Sequence, residues 1–341
     1  MARDRRARGD RLRLSGFAGR RGRAVQHRET PDSRTIPGGA SGRGQVSEEL
    51  ADLNRDIRLR PADAWAISSR GQTYLGLGRY DEALADLDRA IELDPAGAWA
   101  ISSRGQVLGK MGRYEEALAD LDRAIELDPG DPLVLCARGE TYQLMDRYGE
   151  ALADLDHAID LYPAYSWAIC RRGEIHMNMG RYDEALADLD RAIELAPDGD
   201  AWAVGFRGET YRLMGRLGEA LADFNRAIEL DPAGAWAIGS RGQAYLTLKR
   251  YDQALADLNR AIELDPAEAW AIAARGQAYL ALGRYDLALA DLDRAIELDP
   301  DDAETVGNRG QAYRLLGREE EARADFARAT ELDPGSKPAG D

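Results

Sequence analysis

One sequence frame is clearest in Trp99-Ala-Ile-Ser-Ser-Arg-Gly-Gln106, followed after five residues by Gly112-Arg-Tyr-Glu-Glu-Ala-Leu-Ala-Asp-Leu-Asp-Arg-Ala-Ile-Glu-Leu-Asp-Pro129. The same frame returns along the chain every 34 residues, with one step of 35. The prolines that close it mark this period: Pro61, Pro95, Pro129, Pro163, Pro197, Pro232, Pro266, Pro300 and Pro334. The chain therefore contains eight successive copies of one unit.

Each unit contains the pattern of two helices. The first is predicted to run from the tryptophan to a Leu or Met, and in six units a glycine then stops it as a left-handed C-cap would. The second opens with acidic residues such as Asp81 and Glu82, which are favourable at a helix N-terminus. It ends at Leu-Asp-Pro, because the residue before a proline avoids the helical region. The six glycines are Gly78, Gly112, Gly180, Gly215, Gly283 and Gly317.

The composition excludes several classes of protein. The 341 residues include 45 basic and 61 acidic side chains, for a formal charge of -16, which excludes collagen-like and membrane-spanning chains. Two cysteines and three histidines are too few for a disulfide framework, a zinc cluster or a haem-type site. We therefore expect no catalytic, cofactor or metal site, and a reducing compartment, the cytoplasm.

The charge is unevenly distributed along the chain. Residues 1–46 contain 12 arginines and four acidic residues without a helical or alternating pattern, which predicts a disordered basic arm. Removing this +8 from -16 leaves -24 for residues 47–341. The arm and the acidic remainder should therefore attract each other.

A helix-turn-helix unit of this length, with Gly and Tyr in its first helix, Ala twice in its second and a closing Pro, resembles the tetratricopeptide repeat. The resemblance covers residues 61–334. It implies an all-α fold, a right-handed superhelical solenoid of antiparallel helix pairs, in which stacked neighbours bury one continuous core. Residues 47–60 resemble one more second helix, so we expect a degenerate half-repeat that caps the array, and a disordered tail at 335–341.

Two charged rows lie on the packing side of the helices. An arginine precedes the glycine of each first helix: Arg70, Arg104, Arg138, Arg172, Arg207, Arg241, Arg275 and Arg309. An aspartate lies on each second helix: Asp86, Asp120, Asp154, Asp188, Asp223, Asp257, Asp291 and Asp325. A buried guanidinium needs a carboxylate, which predicts a ladder of Arg–Asp pairs between helices. The alternative is a surface pair such as Asp86 with Arg89.

The opposite side of the first helix carries three further rows. All six tryptophans share one position near the helix start, where the other two units have Leu133 and Glu304: Trp65, Trp99, Trp167, Trp202, Trp236 and Trp270. A small residue follows three positions later: Ser68, Ser102, Cys136, Cys170, Gly205, Gly239, Ala273 and Gly307. A glutamine or glutamate follows at seven: Gln72, Gln106, Glu140, Glu174, Glu209, Gln243, Gln277 and Gln311.

Two interpretations of the tryptophan row remain open. In the tetratricopeptide repeat family this face lines a concave groove, so the resemblance implies that the Trp and Gln/Glu rows bind a partner. The other interpretation is that each indole packs over the preceding Leu-Asp-Pro turn as a spacer between repeats. Aromatic residues are favoured at binding hot spots, but they are also ordinary core material.

The leading functional interpretation is a non-enzymatic scaffold that holds an extended peptide or a partner helix in the groove. The groove rows lack the Lys and Asn of a carboxylate clamp, so basic or neutral partners with apolar anchors suit them better. One alternative is nucleic-acid attachment through the basic arm, against which the acidic array argues. Another is self-assembly of the near-identical units. No membrane association is expected.

Overall fold

Seventeen α-helices make up residues 40–334, the part of the chain that the structure, a computed structural model, describes; side chains are described from residue 46. No strand occurs within these residues. The prediction of an all-α fold built from helix pairs is therefore confirmed. The helices are α1 Ala40–Leu59, α2 Ala64–Gly76, α3 Tyr80–Leu93, α4 Ala98–Lys110, α5 Tyr114–Leu127, α6 Pro132–Leu144, α7 Tyr148–Leu161, α8 Ser166–Asn178, α9 Tyr182–Leu195, α10 Ala201–Leu213, α11 Leu217–Leu230, α12 Ala235–Thr247, α13 Tyr251–Leu264, α14 Ala269–Ala281, α15 Tyr285–Leu298, α16 Ala303–Leu315 and α17 Glu319–Leu332.

The chain divides into two compact units, the N-terminal unit Met1–Gly180 with α1–α8 and the C-terminal unit Arg181–Asp341 with α9–α17. In each unit a first helix of 13 residues alternates with a second helix of 14 residues. Short turns join consecutive helices, which pack as antiparallel neighbours. First helices of successive repeats also touch: α2 contacts α4, and α4 contacts α6. Each unit therefore presents one face made only of first helices.

Helix α1 packs against α2 and begins at Ala40, before the predicted boundary at Ser47. It buries Val46, Leu53 and Ile57. The remainder of the predicted basic arm, residues 1–39, and the predicted tail, 335–341, lie outside the described residues.

Small residues and single leucines build the core between paired helices. In the second repeat of the N-terminal unit, Ala117, Leu121 and Ala124 of α5 are fully buried against Ile101 of α4. The second helix carries these residues at helical spacing, so one face enters the core while Glu115, Glu116 and Glu126 stay in solvent. The same pattern recurs in α13 with Ala254, Leu258 and Ala261.

The turn between the two helices of a repeat requires one residue in the left-handed conformation. All six predicted stop glycines have positive φ, between 70° and 76°. In the other two repeats the conformation is adopted by Asp146 with φ 58° and Lys249 with φ 59°. A side chain with a Cβ is strained in this region, so these two repeats form the same turn at a conformational cost.

We expect Lys249→Gly to raise the free energy of unfolding by about 0.5–1 kcal/mol, because the relief of left-handed strain exceeds the added entropy of the unfolded chain. Urea unfolding followed by circular dichroism measures the change. The reciprocal substitution Gly283→Lys, at the equivalent turn one repeat later, should lower stability. Equal stability of the two variants would contradict the prediction.

The predicted ladder of Arg–Asp pairs is present. The Arg241 Nε and Nη2 donate to the two carboxylate oxygens of Asp257, both at 2.7 Å. Asp86 pairs in the same way with Arg70, whereas Arg89 donates to the carbonyl oxygen of Pro61, so the surface alternative for Asp86 was wrong. The bidentate pairs are Arg70–Asp86, Arg104–Asp120, Arg138–Asp154, Arg207–Asp223, Arg241–Asp257, Arg275–Asp291 and Arg309–Asp325.

Each ladder arginine also reaches the second helix of the preceding repeat, a contact that the sequence rows did not predict. The remaining Nη1 of Arg104 donates to Asp88 at 2.7 Å, and that of Arg241 donates to Asn225 at 2.8 Å. The hydrogen bond with Asp120 raises the pKa of Arg104, against the opposing effect of burial. One guanidinium therefore ties together three helices from two repeats.

Candidate partner-binding face

The face made of first helices brings the predicted Trp and Gln/Glu rows together within each unit. Every tryptophan of the row is the second residue of its helix, as are Leu133 in α6 and Glu304 in α16. Because the first helices lie side by side, residues at one position form a line across the repeats. The exposure of these side chains differs between the two units.

In the C-terminal unit the indoles pack onto the preceding first helix. A Cβ added at Gly205 would lie 2.6 Å from Cζ3 of Trp236, and one at Gly239 would lie 2.4 Å from Cη2 of Trp270. Trp236 also stacks on Trp202, with 5.8 Å between ring centroids. The space beside each of these two glycines is therefore filled by the indole of the next repeat, and this contact couples neighbouring repeats.

On α2, α4 and α6 of the N-terminal unit the same position is exposed, whereas Trp167 on α8 is partly buried. Trp65 is 58% exposed, Trp99 39% and Leu133 52%. The small residue one repeat before Trp99 is Ser68 and the one before Leu133 is Ser102, where Trp236 and Trp270 are preceded by glycines. We call Trp65, Trp99 and Leu133 the apolar strip, since they follow one another on the adjacent helices α2, α4 and α6.

The Gln/Glu row forms ionic contacts about two turns further along the first helices than this strip. Lys110 of α4 donates to Glu140 of α6 at 2.8 Å. Arg171 of α8 donates to Glu174 at 2.6 Å, and Gln143 of α6 donates to the same carboxylate at 3.0 Å. These five side chains bridge three first helices, and we call them the ionic network.

The ionic network carries no net formal charge, and some of its side chains are buried. Arg171 and Glu174 are both buried. Burial raises the pKa of Glu174, against the opposing attraction of Arg171. In the C-terminal unit the row makes smaller contacts, a bidentate pair between Arg212 and Glu209 and a bond of 3.0 Å from Gln277 to Glu304.

One partly buried carboxyl lies close in sequence to a tryptophan of the row. Glu268 is the N-cap residue of α14, two positions before Trp270. Burial, together with the nearby Asp265, raises the pKa of Glu268 to about 7, and the indole opposes this shift.

Sequence reasoning missed Lys110, Gln143, Arg171 and Arg212. The available signal was spacing, since Arg171 and Arg212 each lie three residues from a glutamate of the row and pair with it within their own helix. Lys110 and Gln143 instead contact glutamates of neighbouring helices. Their contacts are therefore visible only once those helices are placed.

Residues 40–334 lack three other kinds of feature: a metal site, a membrane-spanning helix and a disulfide. Between residues 40 and 334, no cluster of three or more His, Cys, Asp or Glu is arranged to hold a metal ion. No helix in that range is long and apolar enough to span a membrane. The two cysteines, Cys136 and Cys170, are both buried and form no disulfide.

Models of the tetratricopeptide repeat match most of the length of the repeat array. One model described as "Tetratricopeptide repeat" matches residues 69–132, 102–166 and 273–337, and a second of the same description matches 165–233. A third, described as "TPR repeat", matches 242–283. The chain belongs to the tetratricopeptide repeat family. No curated protein sequence matches this tetratricopeptide repeat chain.

Two solved structures show the same fold. One is titled "Crystal structure of APC/C hetero-tetramer Cut9-Hcn1", with a TM-score of 0.70 and 16% identity over 86% of this chain; the match spans 57% of the other chain. A tetratricopeptide repeat protein from Parabacteroides merdae has a TM-score of 0.59 and 19% identity, over 73% of this chain and 98% of the other. The tetratricopeptide repeat solenoid is therefore confirmed, and with it the general architecture of a protein-interaction scaffold.

Proposed function

We propose that this tetratricopeptide repeat chain is a non-enzymatic scaffold that binds an extended peptide or a helix of a partner protein on its first-helix face. The observation that carries the proposal is the apolar strip, where three large side chains on adjacent helices remain exposed. Tryptophan is among the residues that are enriched at interaction hot spots. Of the predicted Trp row, Trp65 and Trp99 would supply the main contacts.

The ionic network supports this placement. It provides polar groups on the same first-helix face, about two turns along the helices from the strip, that are already held in position, so a partner would not bear the cost of ordering them. The acidic balance of residues 47–341 favours a partner segment that is neutral or basic and has apolar anchors.

We place the protein in the cytoplasm, because both of its cysteines are buried thiols without a disulfide.

Peptides selected from a random display library on the full-length chain test the proposal. The selected peptides should carry aromatic or aliphatic anchors with neutral or basic flanks. Trp99→Ala should weaken their binding at least about tenfold, the effect expected for an interface hot spot. Trp65→Ala provides a second variant at a more exposed position.

Leu287→Ser is the matched control, because Leu287 is also an exposed large apolar residue, 50% exposed, but lies on a second helix of the C-terminal unit. Its effect on peptide affinity should be negligible. Selected peptides whose affinity is the same for both tryptophan variants and the control would overturn the proposal.

A further inference from the structure

The apolar strip lies beside an acidic edge. The turns that lead into α4 and α6, and so to Trp99 and Leu133, follow the C-terminal ends of α3 and α5. Four exposed carboxyl side chains occupy these ends: Glu92, Asp94, Glu126 and Asp128. A segment that fits this surface would combine large apolar side chains with positive charge.

The chain itself contains such a segment. Residues 11–28 carry six arginines and no acidic residue, and they include Leu12, Leu14, Phe17 and Val25. This segment lies outside the described residues. The array against which it would pack is strongly acidic, so the attraction between them is electrostatic as well as apolar.

The connecting length is sufficient. The 23 residues from Phe17 to Ala40, where α1 begins, reach up to about 75 Å when extended. Helix α1 is antiparallel to α2 and about 30 Å long, and adjacent first helices lie roughly 8–10 Å apart. The segment can therefore pass along α1 and cross all three helices of the strip.

We propose that residues 11–28 bind the apolar strip of the same molecule, with Leu12, Leu14 and Phe17 against Trp65, Trp99 and Leu133 and the arginines at the acidic edge. Tethering gives the segment an effective concentration on the order of millimolar, so even weak contacts keep the strip occupied. A partner would then bind only by displacing the segment. The contact is intramolecular and does not depend on the existence of a partner.

Photo-crosslinking of the purified full-length chain tests this inference. With p-benzoylphenylalanine in place of Phe17, irradiation should give crosslinks within one molecule to peptides that contain Trp65, Trp99 or Leu133, with a yield that does not change on dilution. The yield should fall several-fold at about 1 M salt, where the screening length is only about 3 Å. The variant Trp65→Ser should reduce it about fivefold or more, because Trp65 is a large, exposed contact.

Leu287→Ser serves again as the control and should leave the crosslink yield unchanged. Crosslinks only between molecules, crosslinks spread over the acidic second helices, or none at all would each overturn the inference. Because this experiment uses no added peptide, its failure would leave the proposed peptide binding untouched. Conversely, a positive crosslink would stand even if no peptide were selected.

Discussion

Asp257→Ala is expected to lower the free energy of unfolding by about 2–3 kcal/mol. The substitution removes both hydrogen bonds that Arg241 donates to Asp257 and leaves the guanidinium with Asn225, a neutral partner. Breaking a fully buried pair costs about 3–5 kcal/mol, and the smaller value reflects that the Arg241 side chain is 21% exposed. Urea unfolding monitored by circular dichroism measures the loss.

Glu263→Ala in the same helix is the matched control. Glu263 accepts from Arg260 at 3.2 Å, but both side chains are more than half exposed, so the loss should stay below about 0.5 kcal/mol. The double variant Arg241→Met with Asp257→Leu should recover most of the stability, since apolar replacement of a whole pair is often nearly neutral. If Asp257→Ala and Glu263→Ala cost the same, the ladder does not stabilise the array.

Gly105→Ala is expected to destabilise the protein by about 1–2 kcal/mol, although alanine is the better helix former. An added Cβ would lie 2.8 Å from Cγ of Leu121 and 3.1 Å from the carbonyl oxygen of Ala117. Overpacking of this kind costs about 1–3 kcal/mol, and the gain in helix propensity of up to about 1 kcal/mol offsets only part of it. The backbone oxygen cannot move without shifting α5.

Gly109→Ala in the same helix should have the opposite effect. Its added Cβ would lie 3.4 Å from Oγ1 of Thr141 and 3.9 Å from Cβ of Ala117, which are ordinary contacts. Only the gain in helix propensity then remains, and stability should rise by up to about 1 kcal/mol. If both glycine variants stabilise the protein, the helices at Gly105 are not in close contact.

The position of the small residue in the first helix is used differently in the two compact units. Where the small residue is glycine, as at Gly239, the next indole enters the space and becomes part of the packing between repeats. Where it is serine, as at Ser68 and Ser102, the next large apolar residue stays exposed. The small residue one repeat earlier thus differs between the packed indoles of Trp236 and Trp270 and the exposed residues Trp99 and Leu133.

Most of the fold could be predicted because its determinants are local and repeated eight times. Glycine after six of the eight first helices, acids at the start of the second and proline at its end set the helix boundaries within a residue or two. The Arg–Asp ladder was also predictable, since a guanidinium on a packing face requires a carboxylate and only one row offers it. The start of α1 at Ala40 was missed, because residues 40–46 carry no helical periodicity.

The repeat, the helix pairs and the pairing of Arg with Asp were predictable from the amino-acid sequence, because they follow from the periodicity within one repeat. Which indoles are covered, how the Lys110, Glu140 and Arg171 side chains meet, and that each ladder arginine also contacts the preceding repeat became visible only in the folded chain. These features depend on which side chains of neighbouring repeats come within a few ångströms of one another. These distances are set by the packing of helices from neighbouring repeats, which the sequence pattern within one repeat does not describe.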